Sequence, residues 1–306
     1  MEDMKTRNKF EFKNFDVVLD DSDHHFVNQE FSNINSRAYK SIMKEWKILE
    51  QNLPESIYVR VYEGRIDLMR AVIIGANGTP FRDGLFFFDI AFPSNYPDSP
   101  PKIHFISFGL TQLSPHLLHN GEVCLSLVRW LPLAKKFQKW NPSVSTCFQL
   151  LLSIQALVLK EKRIFNQPAI ALDSNWYIVQ AYRETCKLVV HLIQRPPKNF
   201  ETFVKGYFCD RATVILAAFI EYAYGRVCIG YYGSASSSSS LPRKNSFMSK
   251  RWAQEFYPIM VNAFELCGAS LDPSLRSLVL LSESEKKKST ILKKGLSHIK
   301  SFITGK

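Results

Sequence analysis

The sequence predicts an α+β fold in which helices and strands are segregated along the chain. An amphipathic pattern with three- and four-residue spacing occupies 36–51, and short segments rich in β-branched and aromatic residues follow it between Gly- and Pro-containing turns. Long apolar segments with helical spacing come after residue 142. Because the strand segments are consecutive and connected by turns, we expect an antiparallel meander packed against helices.

The first predicted helix, at 36–51, places its apolar residues on one face and uses Ser36 as its expected N-cap. The four expected strands lie within 56–64, 66–76, 85–92 and 102–108. The later helices are expected within 141–160, 174–194, 200–225 and 250–267. Pro142 suits the first turn of the first of these later helices, and Pro196 and Pro197 are expected to separate the second from the third.

Composition divides the chain into four regions, which are a flexible N-terminal arm at 1–35, a core domain at 36–230, a Ser-rich linker at 231–247 and a basic helical extension at 248–306. We expect the arm to be flexible because it is polar and mixes charges of both signs. Its adjacent His24 and His25 could bind a metal ion, but exposure on a polar arm is the favoured interpretation. The linker is assigned from the low-complexity stretch "GSASSSSSLPRKNS".

Composition also indicates a soluble intracellular protein with one sizeable core. The chain has 306 residues, of which 46% are hydrophobic, and it contains no uninterrupted apolar run of about 18 residues. The formal net charge is +11, and basic residues cluster near the C-terminal end in "SEKKKSTILKKGLSHIK". A solvated basic tail is therefore favoured over contact with nucleic acid or a membrane. The glycines do not form a phosphate-binding loop, which argues against a nucleotide site.

The six cysteines are far apart and form neither a Cys-x-x-Cys pair nor a cluster with histidines. This pattern argues against structural zinc and favours reduced thiols, so we predict no metal and no cofactor. The expected location is the cytoplasm, with nuclear or membrane-associated locations as alternatives. Cys124 stands apart because it interrupts the apolar ladder of "HLLHNGEVCLSLVRW". It is either a small core residue or a nucleophile.

Ordered fragments within about 36–225 resemble the ubiquitin-conjugating enzymes. The fragments are Gly78-Thr79-Pro80, Phe92-Pro93, Tyr96-Pro97 with Pro100-Pro101, Gly121-x-Val123-Cys124-Leu125, Trp140-x-Pro142, and the segment from Ser145 to Leu159. Each fragment is weak alone, but their order and spacing together are specific. The chain is most similar to the large hybrid class of this family, which includes the plant phosphate-homeostasis enzyme.

The resemblance implies the ubiquitin-conjugating fold, with an N-terminal helix, a four-stranded antiparallel meander, a cysteine loop and C-terminal helices. It also implies a transferase. The carboxyl terminus of ubiquitin, activated with ATP by a separate activating enzyme, would form a thioester with Cys124 and pass to a lysine of a target protein. A thiol suits this role because it is both a good nucleophile and a good leaving group. The implied partners are ubiquitin, the activating enzyme, target proteins and a ubiquitin ligase.

The sequence departs from the family pattern at His116. Family members usually carry Asn as the third residue of a tripeptide before the cysteine, where it is assigned to stabilising the oxyanion or to holding the loop. Here the tripeptide is Ser114-Pro115-His116. We therefore predict His116 as a substitute catalytic residue in one of these two roles, and Ser114 as a turn residue. The substitution leaves an alternative open, in which the chain is a weak or inactive member that acts as a ubiquitin- or partner-binding scaffold.

Two further departures concern neighbouring loops. Gln138 stands where the large class usually has an acid, and Lys135 and Lys136 make the same loop basic. If the acid orients the incoming lysine, its replacement predicts slower discharge of the thioester. Asp98 occupies the position at which many conjugating enzymes present a hydrophobic residue to ligases. This replacement predicts altered docking of ligases.

Overall fold

The computed structural model describes residues 12–29, 35–111, 113–125, 139–159, 174–233 and 248–276, and the structural statements below concern these residues. Among them, no helix is both long enough and apolar enough to span a membrane. Four sequence predictions lie partly or wholly outside the described residues. They concern the loop after Cys124 that contains Lys135, Lys136 and Gln138, most of the Ser-rich linker, the basic C-terminal segment after residue 276, and residues 1–11 and 30–34 of the arm.

A five-stranded sheet lies at the centre of the fold. Its strands are β1 (Phe15–Val18), β2 (Ile57–Tyr62), β3 (Leu68–Ile74), β4 (Leu85–Ala91) and β5 (Lys102–Phe105), and they are adjacent in that order. The pairs from β2 to β5 are all antiparallel, as the short connections between them predict. The predicted four-stranded meander is therefore confirmed, but the sheet has one strand more.

The additional strand β1 corrects the prediction of a flexible arm. It pairs with β2 in parallel, with Phe15 opposite Val59 and Val18 opposite Tyr62. A parallel neighbour needs a long crossover connection, and the helix between β1 and β2 supplies it. The arm is therefore part of the sheet at residues 15–18, because its backbone groups find partners on the free edge of β2.

The described residues form five α-helices that share a core with the sheet. They are α1 (Ser36–Asn52), α2 (Cys147–Ser153), α3 (Ser174–Gln194), α4 (Glu201–Ala223) and α5 (Lys250–Leu266), and α2 continues into a π-helical turn at Ile154–Val158. Two predicted boundaries are wrong. The N-cap of α1 is Asn35, whose side chain accepts from the Ala38 amide, and Ser36 is already helical. Pro142 lies in a turn, and α2 begins five residues later behind the N-cap Thr146.

One large hydrophobic cluster joins the sheet to all five helices. Three successive residues of β4, Phe86, Phe87 and Phe88, are buried, so both faces of this strand are covered. Helix α5 shares the same core, since Met260 is fully buried and the ring of Tyr257 lies 5.4 Å from that of Phe219 on α4. Residues 250–266, which the sequence predicts as part of a separate extension, thus pack into the main core.

Candidate active site around Cys124

Cys124 follows a compact turn that is tied to the sheet. Single β-bridges join Leu117 to Val123, and Glu122 to His104 at the end of β5. Val123 and Leu125 are buried, whereas Cys124 between them is only partly buried. The two apolar neighbours therefore anchor the backbone while the intervening thiol stays accessible.

His116 holds the backbone of Cys124 through two contacts. The Cys124 amide donates to the His116 carbonyl at 2.8 Å, and the His116 Nδ1 lies 3.0 Å from the Cys124 carbonyl oxygen. A carbonyl oxygen only accepts, so Nδ1 must carry the hydrogen and donate it. These contacts place the two sequence-predicted site residues together and fix the tautomer of the imidazole.

The tautomer decides what His116 can do chemically. With Nδ1–H engaged by Cys124, the Nε2 atom of a neutral ring carries no hydrogen and can only accept. Only an imidazolium would have a second N–H for a developing oxyanion. Of the two roles predicted for His116, the geometry of the neutral ring therefore favours ordering of the loop.

Ser114 begins the same turn and is almost completely buried. Its hydroxyl donates to the carbonyl of Val158 at 3.3 Å, at the end of the π-helical turn, and accepts from the His116 amide at 3.2 Å. Its own carbonyl accepts from the Leu117 amide. Because the hydroxyl and the carbonyl of Ser114 are both hydrogen-bonded within the fold, Ser114 acts as the expected turn residue and links the cysteine turn to α2.

Gly121 lets the turn approach the sheet closely. Its φ of +82° is in the left-handed region, and a Cβ at this position would lie 2.0 Å from Cε1 of His104. The Gly121 carbonyl also accepts from the Phe105 amide at 2.7 Å. Both the backbone angle and the missing side chain are thus required three residues before the thiol.

Cys124 is less buried than three of the other cysteines. The environments of those three favour the protonated thiol. Burial raises the pKa of Cys147 well above its usual value and raises the pKa of Cys186 to about 12. Burial together with the neighbouring Cys209 raises the pKa of Cys267 to about 11. None of the six cysteines, all of which lie in the described part of the chain, forms a disulfide, and Cys209 and Cys228 are partly buried like Cys124. Cys124 is distinguished from these two by its anchored turn.

Two of the motifs that carry the resemblance, Tyr96-Pro97 and Trp140-x-Pro142, contact each other. Trp140 donates from Nε1 to the carbonyl of Pro97 at 2.7 Å, and its ring lies 5.8 Å from that of Tyr96. The Tyr96 hydroxyl in turn donates to Glu45 of α1 at 2.7 Å. The Tyr-Pro and Trp motifs are therefore one contact cluster on α1.

Glu45 is a buried residue that the sequence analysis missed. Its second carboxylate oxygen accepts from the Cys147 amide at 2.9 Å, in the first turn of α2. Burial raises the pKa of this carboxyl, although the bonds from Tyr96 and Cys147 act in the opposite direction. The sequence feature that could have predicted the burial of Glu45 is its position on the apolar face of α1, between Ile42 and Leu49.

Asp98 is exposed and forms a bidentate ion pair with Arg37 at the start of α1. Both nitrogen-to-oxygen distances are 3.0 Å. The loop position that is hydrophobic in many family members thus presents a charged pair to solvent in this chain.

His24 contradicts the interpretation of an exposed polar arm. It is 2% exposed, and its Nε2 lies 3.0 Å from the carbonyl of Met69 on β3, which requires Nε2–H as the donor. Burial lowers its pKa, against the opposing effect of Asp89. Among the described residues, no group of three or more His, Cys, Asp or Glu side chains is arranged to hold a metal ion.

Comparison with known proteins places these features in a family. The family model for ubiquitin-conjugating enzyme matches residues 41–199. The probable ubiquitin-conjugating enzyme E2 24 of Arabidopsis thaliana is 41% identical over 277 residues, which are 86% of this chain and 30% of that protein. The putative ubiquitin-conjugating enzyme E2 39 of Arabidopsis thaliana is 40% identical, and the match covers 85% of this chain and 84% of that protein.

Two more distant matches cover less of the chain. The human dual E2 ubiquitin-conjugating enzyme/E3 ubiquitin-protein ligase BIRC6 is 34% identical over 178 residues, which are 52% of this chain and 4% of that protein. A solved structure of human ubiquitin-conjugating enzyme E2 G1 is matched at 24% identity and a TM-score of 0.36, over 41% of this chain and 97% of that one. Since the family model spans 41–199 and the second Arabidopsis relative is matched over most of both lengths, the chain belongs to the ubiquitin-conjugating enzyme family.

Proposed function

We propose that this chain accepts activated ubiquitin on Cys124 as a thioester and transfers it to a lysine amine of a target protein. The observation that carries the proposal is the setting of the thiol. Cys124 is partly buried on a turn that His116 holds at both backbone groups, whereas Cys147 and Cys186 are buried, which raises the pKa of both thiols. Membership of the family supports ubiquitin as the modifier and an activating enzyme as the donor.

The chemistry consists of two acyl transfers. In the first, the Cys124 thiolate attacks the thioester carbonyl that joins ubiquitin to its activating enzyme, and the thiolate of that enzyme leaves. In the second, a neutral lysine amine attacks the new thioester carbon, the Cys124 thiolate leaves, and the amine loses a proton as the amide forms. ATP is used only by the activating enzyme, so this chain needs no cofactor of its own.

The direct test mixes the purified chain with activating enzyme, ATP and ubiquitin. We expect an adduct with the mass of one ubiquitin that thiol reductants remove, and we expect Cys124→Ala to abolish it. Cys228→Ala is the matched control, because Cys228 is also a partly buried cysteine that forms no disulfide. An adduct that survives Cys124→Ala, or that disappears with Cys228→Ala alone, would refute the assignment of the nucleophile.

A second candidate function is that of a ubiquitin carrier, which forms the thioester on Cys124 at a normal rate but transfers the ubiquitin to lysine slowly. The observation in its favour is the engaged Nδ1–H of His116, which leaves the neutral ring without a donor for the oxyanion. Loss of one such donor typically slows acyl transfer by about two to three orders of magnitude. The test is single-turnover discharge of the preformed thioester to free lysine by the wild type and by His116→Asn. Faster discharge by the variant supports the slow carrier, and an equal rate excludes it.

Docking of ubiquitin ligases is proposed to differ from that of relatives with a hydrophobic residue at position 98. The Arg37–Asp98 pair makes this part of the surface charged and hydrated. A ligase for this chain is therefore expected to carry complementary polar groups. Six cysteines outside any disulfide agree with a reducing compartment such as the cytoplasm, which is the location that we propose.

A further inference from the structure

The N-terminal segment 20–29 lies on the polar face of the sheet, which we define by the cross-strand neighbours Arg70, Asp89 and His104. Arg70 and Asp89 are buried and joined by two hydrogen bonds of 2.6 and 2.9 Å. Several hydrogen bonds dock the segment onto this pair. Asp23 binds Arg70 at 2.7 Å, and the His25 amide donates to Asp89 at 2.8 Å.

Docking places two imidazole rings face to face. The ring of His25 stacks on that of His104 with the centroids 3.5 Å apart and an angle of 4° between the planes. His25 is otherwise exposed, and 79 positions separate the two residues in the sequence. Burial, followed by the influence of His25, lowers the pKa of His104 to about 4. His104 is therefore neutral near neutral pH, so the stack does not place two cations against each other.

His104 contacts the turn that carries the nucleophile. Its ring occupies the space in which a Cβ of Gly121 would lie, and its backbone bridges to Glu122. The next links are the Glu122 carbonyl, which accepts from the Leu118 amide, and the Cys124 amide, which donates to His116. Contacts therefore run without a gap from His25 through His104 to the backbone two residues before the thiol.

We propose that His25 is a positioning residue for the candidate active site. By covering His104, it keeps that ring pressed against Gly121 and holds residues 116–124 in the arrangement that presents the Cys124 thiol. The consequence for ubiquitin transfer rests on the function proposed above, but the positioning itself concerns only this chain. The N-terminal segment accordingly contributes to the geometry of the candidate active site.

The test compares three variants by hydrogen exchange of residues 116–124 and by the alkylation rate of Cys124 with iodoacetamide, measured by peptide mass spectrometry. His25→Ala removes the stack, and we expect exchange of the Cys124 amide to become about tenfold faster and the alkylation rate to change several-fold. His25→Phe keeps an aromatic face on His104 and should return both rates to within about twofold of the wild type. Asp20→Ala is the control, because it removes an exposed ion pair between the same segment and Lys198 without touching the stack.

Three results would refute the positioning role of His25. Unchanged rates in His25→Ala would overturn it, and so would an equal effect of Asp20→Ala, since general loosening of the segment would then be the cause. Failure of His25→Phe to restore the rates would also overturn it. The thioester assay on the wild type reports separately on the proposed function. A wild type that forms no thioester but shows the expected exchange pattern refutes the function and leaves the positioning role standing.

Discussion

At the scale of single residues, the site depends on small groups that set the backbone around Cys124. The His116 ring donates to the carbonyl of Cys124, and the Ser114 hydroxyl donates to the carbonyl of Val158 at the end of the π-helical segment. Gly121, which has no side chain, leaves space for the ring of His104. None of these contacts involves the thiol itself. The reactivity that we propose for Cys124 therefore arises from a backbone held in one position, and it should be lost when that backbone moves.

Gly121→Ala tests this dependence on close approach. We expect a loss of about 2–4 kcal/mol in the free energy of unfolding, because the new Cβ would meet His104 and the residue would also carry the cost of a positive φ. Gly109→Ala is the matched control, since Gly109 has a similar φ of +72° with open space around it, and should lose only about 1 kcal/mol. Urea unfolding measures both values, and equal losses would show that the approach of His104 is not the constraint.

At the scale of elements, α1 and α2 are joined by a buried carboxylate. Glu45 accepts both from the Tyr96 hydroxyl and from the Cys147 amide in the first turn of α2, where the helix dipole favours negative charge. The capping box of Thr146 and Gln149 satisfies further groups at the same helix end. The start of α2 is thus fixed by three side chains from two elements.

Glu45→Ala should be among the more damaging substitutions on α1. It leaves a buried hydroxyl and a buried amide without their acceptor, so we expect a loss of about 2–4 kcal/mol in the free energy of unfolding. Glu50→Ala on the same helix removes an exposed side chain and should change stability by less than about 0.5 kcal/mol. Chemical denaturation gives both numbers, and a loss for Glu45→Ala no larger than for Glu50→Ala would contradict this role.

The accuracy of the sequence predictions differed between elements for physical reasons. Helix α3 was predicted at its observed bounds, because 21 residues with regular apolar spacing make a strong local signal. Strand β1 was missed, since its four residues are stabilised by pairing with β2, which lies more than 40 positions away. The stack of His25 on His104 was missed for the same reason, because the two residues are far apart in the sequence. His116 and Cys124 are close in the sequence, so their proximity in the fold was predictable.

At the scale of the whole molecule, segments from both ends of the described chain complete the fold. Residues 20–29 cover the polar face of the sheet, and α5 closes the core beside α3 and α4. Buried His24 belongs to the first of these contacts, and buried Met260 belongs to the second. Both segments pack against the rest of the fold, so both should contribute to global stability.

His24 predicts a pH dependence of that stability. Its pKa is lowered in the folded protein, mainly by burial, while in the unfolded chain it should be near the ordinary value of about 6.5. Below that pH the unfolded chain takes up a proton that the folded protein excludes, so stability should fall as the pH decreases from about 6.5. His24→Gln cannot titrate and should make the dependence shallower between pH 6.5 and 5. Parallel slopes in urea unfolding of the two proteins would contradict this assignment.

Met260 tests whether α5 belongs to the main core. Its side chain is fully buried, so Met260→Ala should lower the free energy of unfolding by about 2–4 kcal/mol in a single cooperative transition. Ile259→Ala removes a neighbouring side chain that is 48% exposed and should cost less than about 1 kcal/mol. An early, separate transition in Met260→Ala would show that α5 unfolds independently.

We propose that the sulfur of Cys124 carries ubiquitin, and replacing that one atom by oxygen tests this role. With activating enzyme, ATP and ubiquitin, the wild type should form an adduct that thiol reductants cleave. Cys124→Ser should form an oxyester that resists thiol reductants and is cleaved by mild alkali, with the linkage mapped to residue 124 by mass spectrometry. A thiol-sensitive adduct on Cys124→Ser, or the absence of any adduct on both proteins, would show that Cys124 is not the ubiquitin carrier.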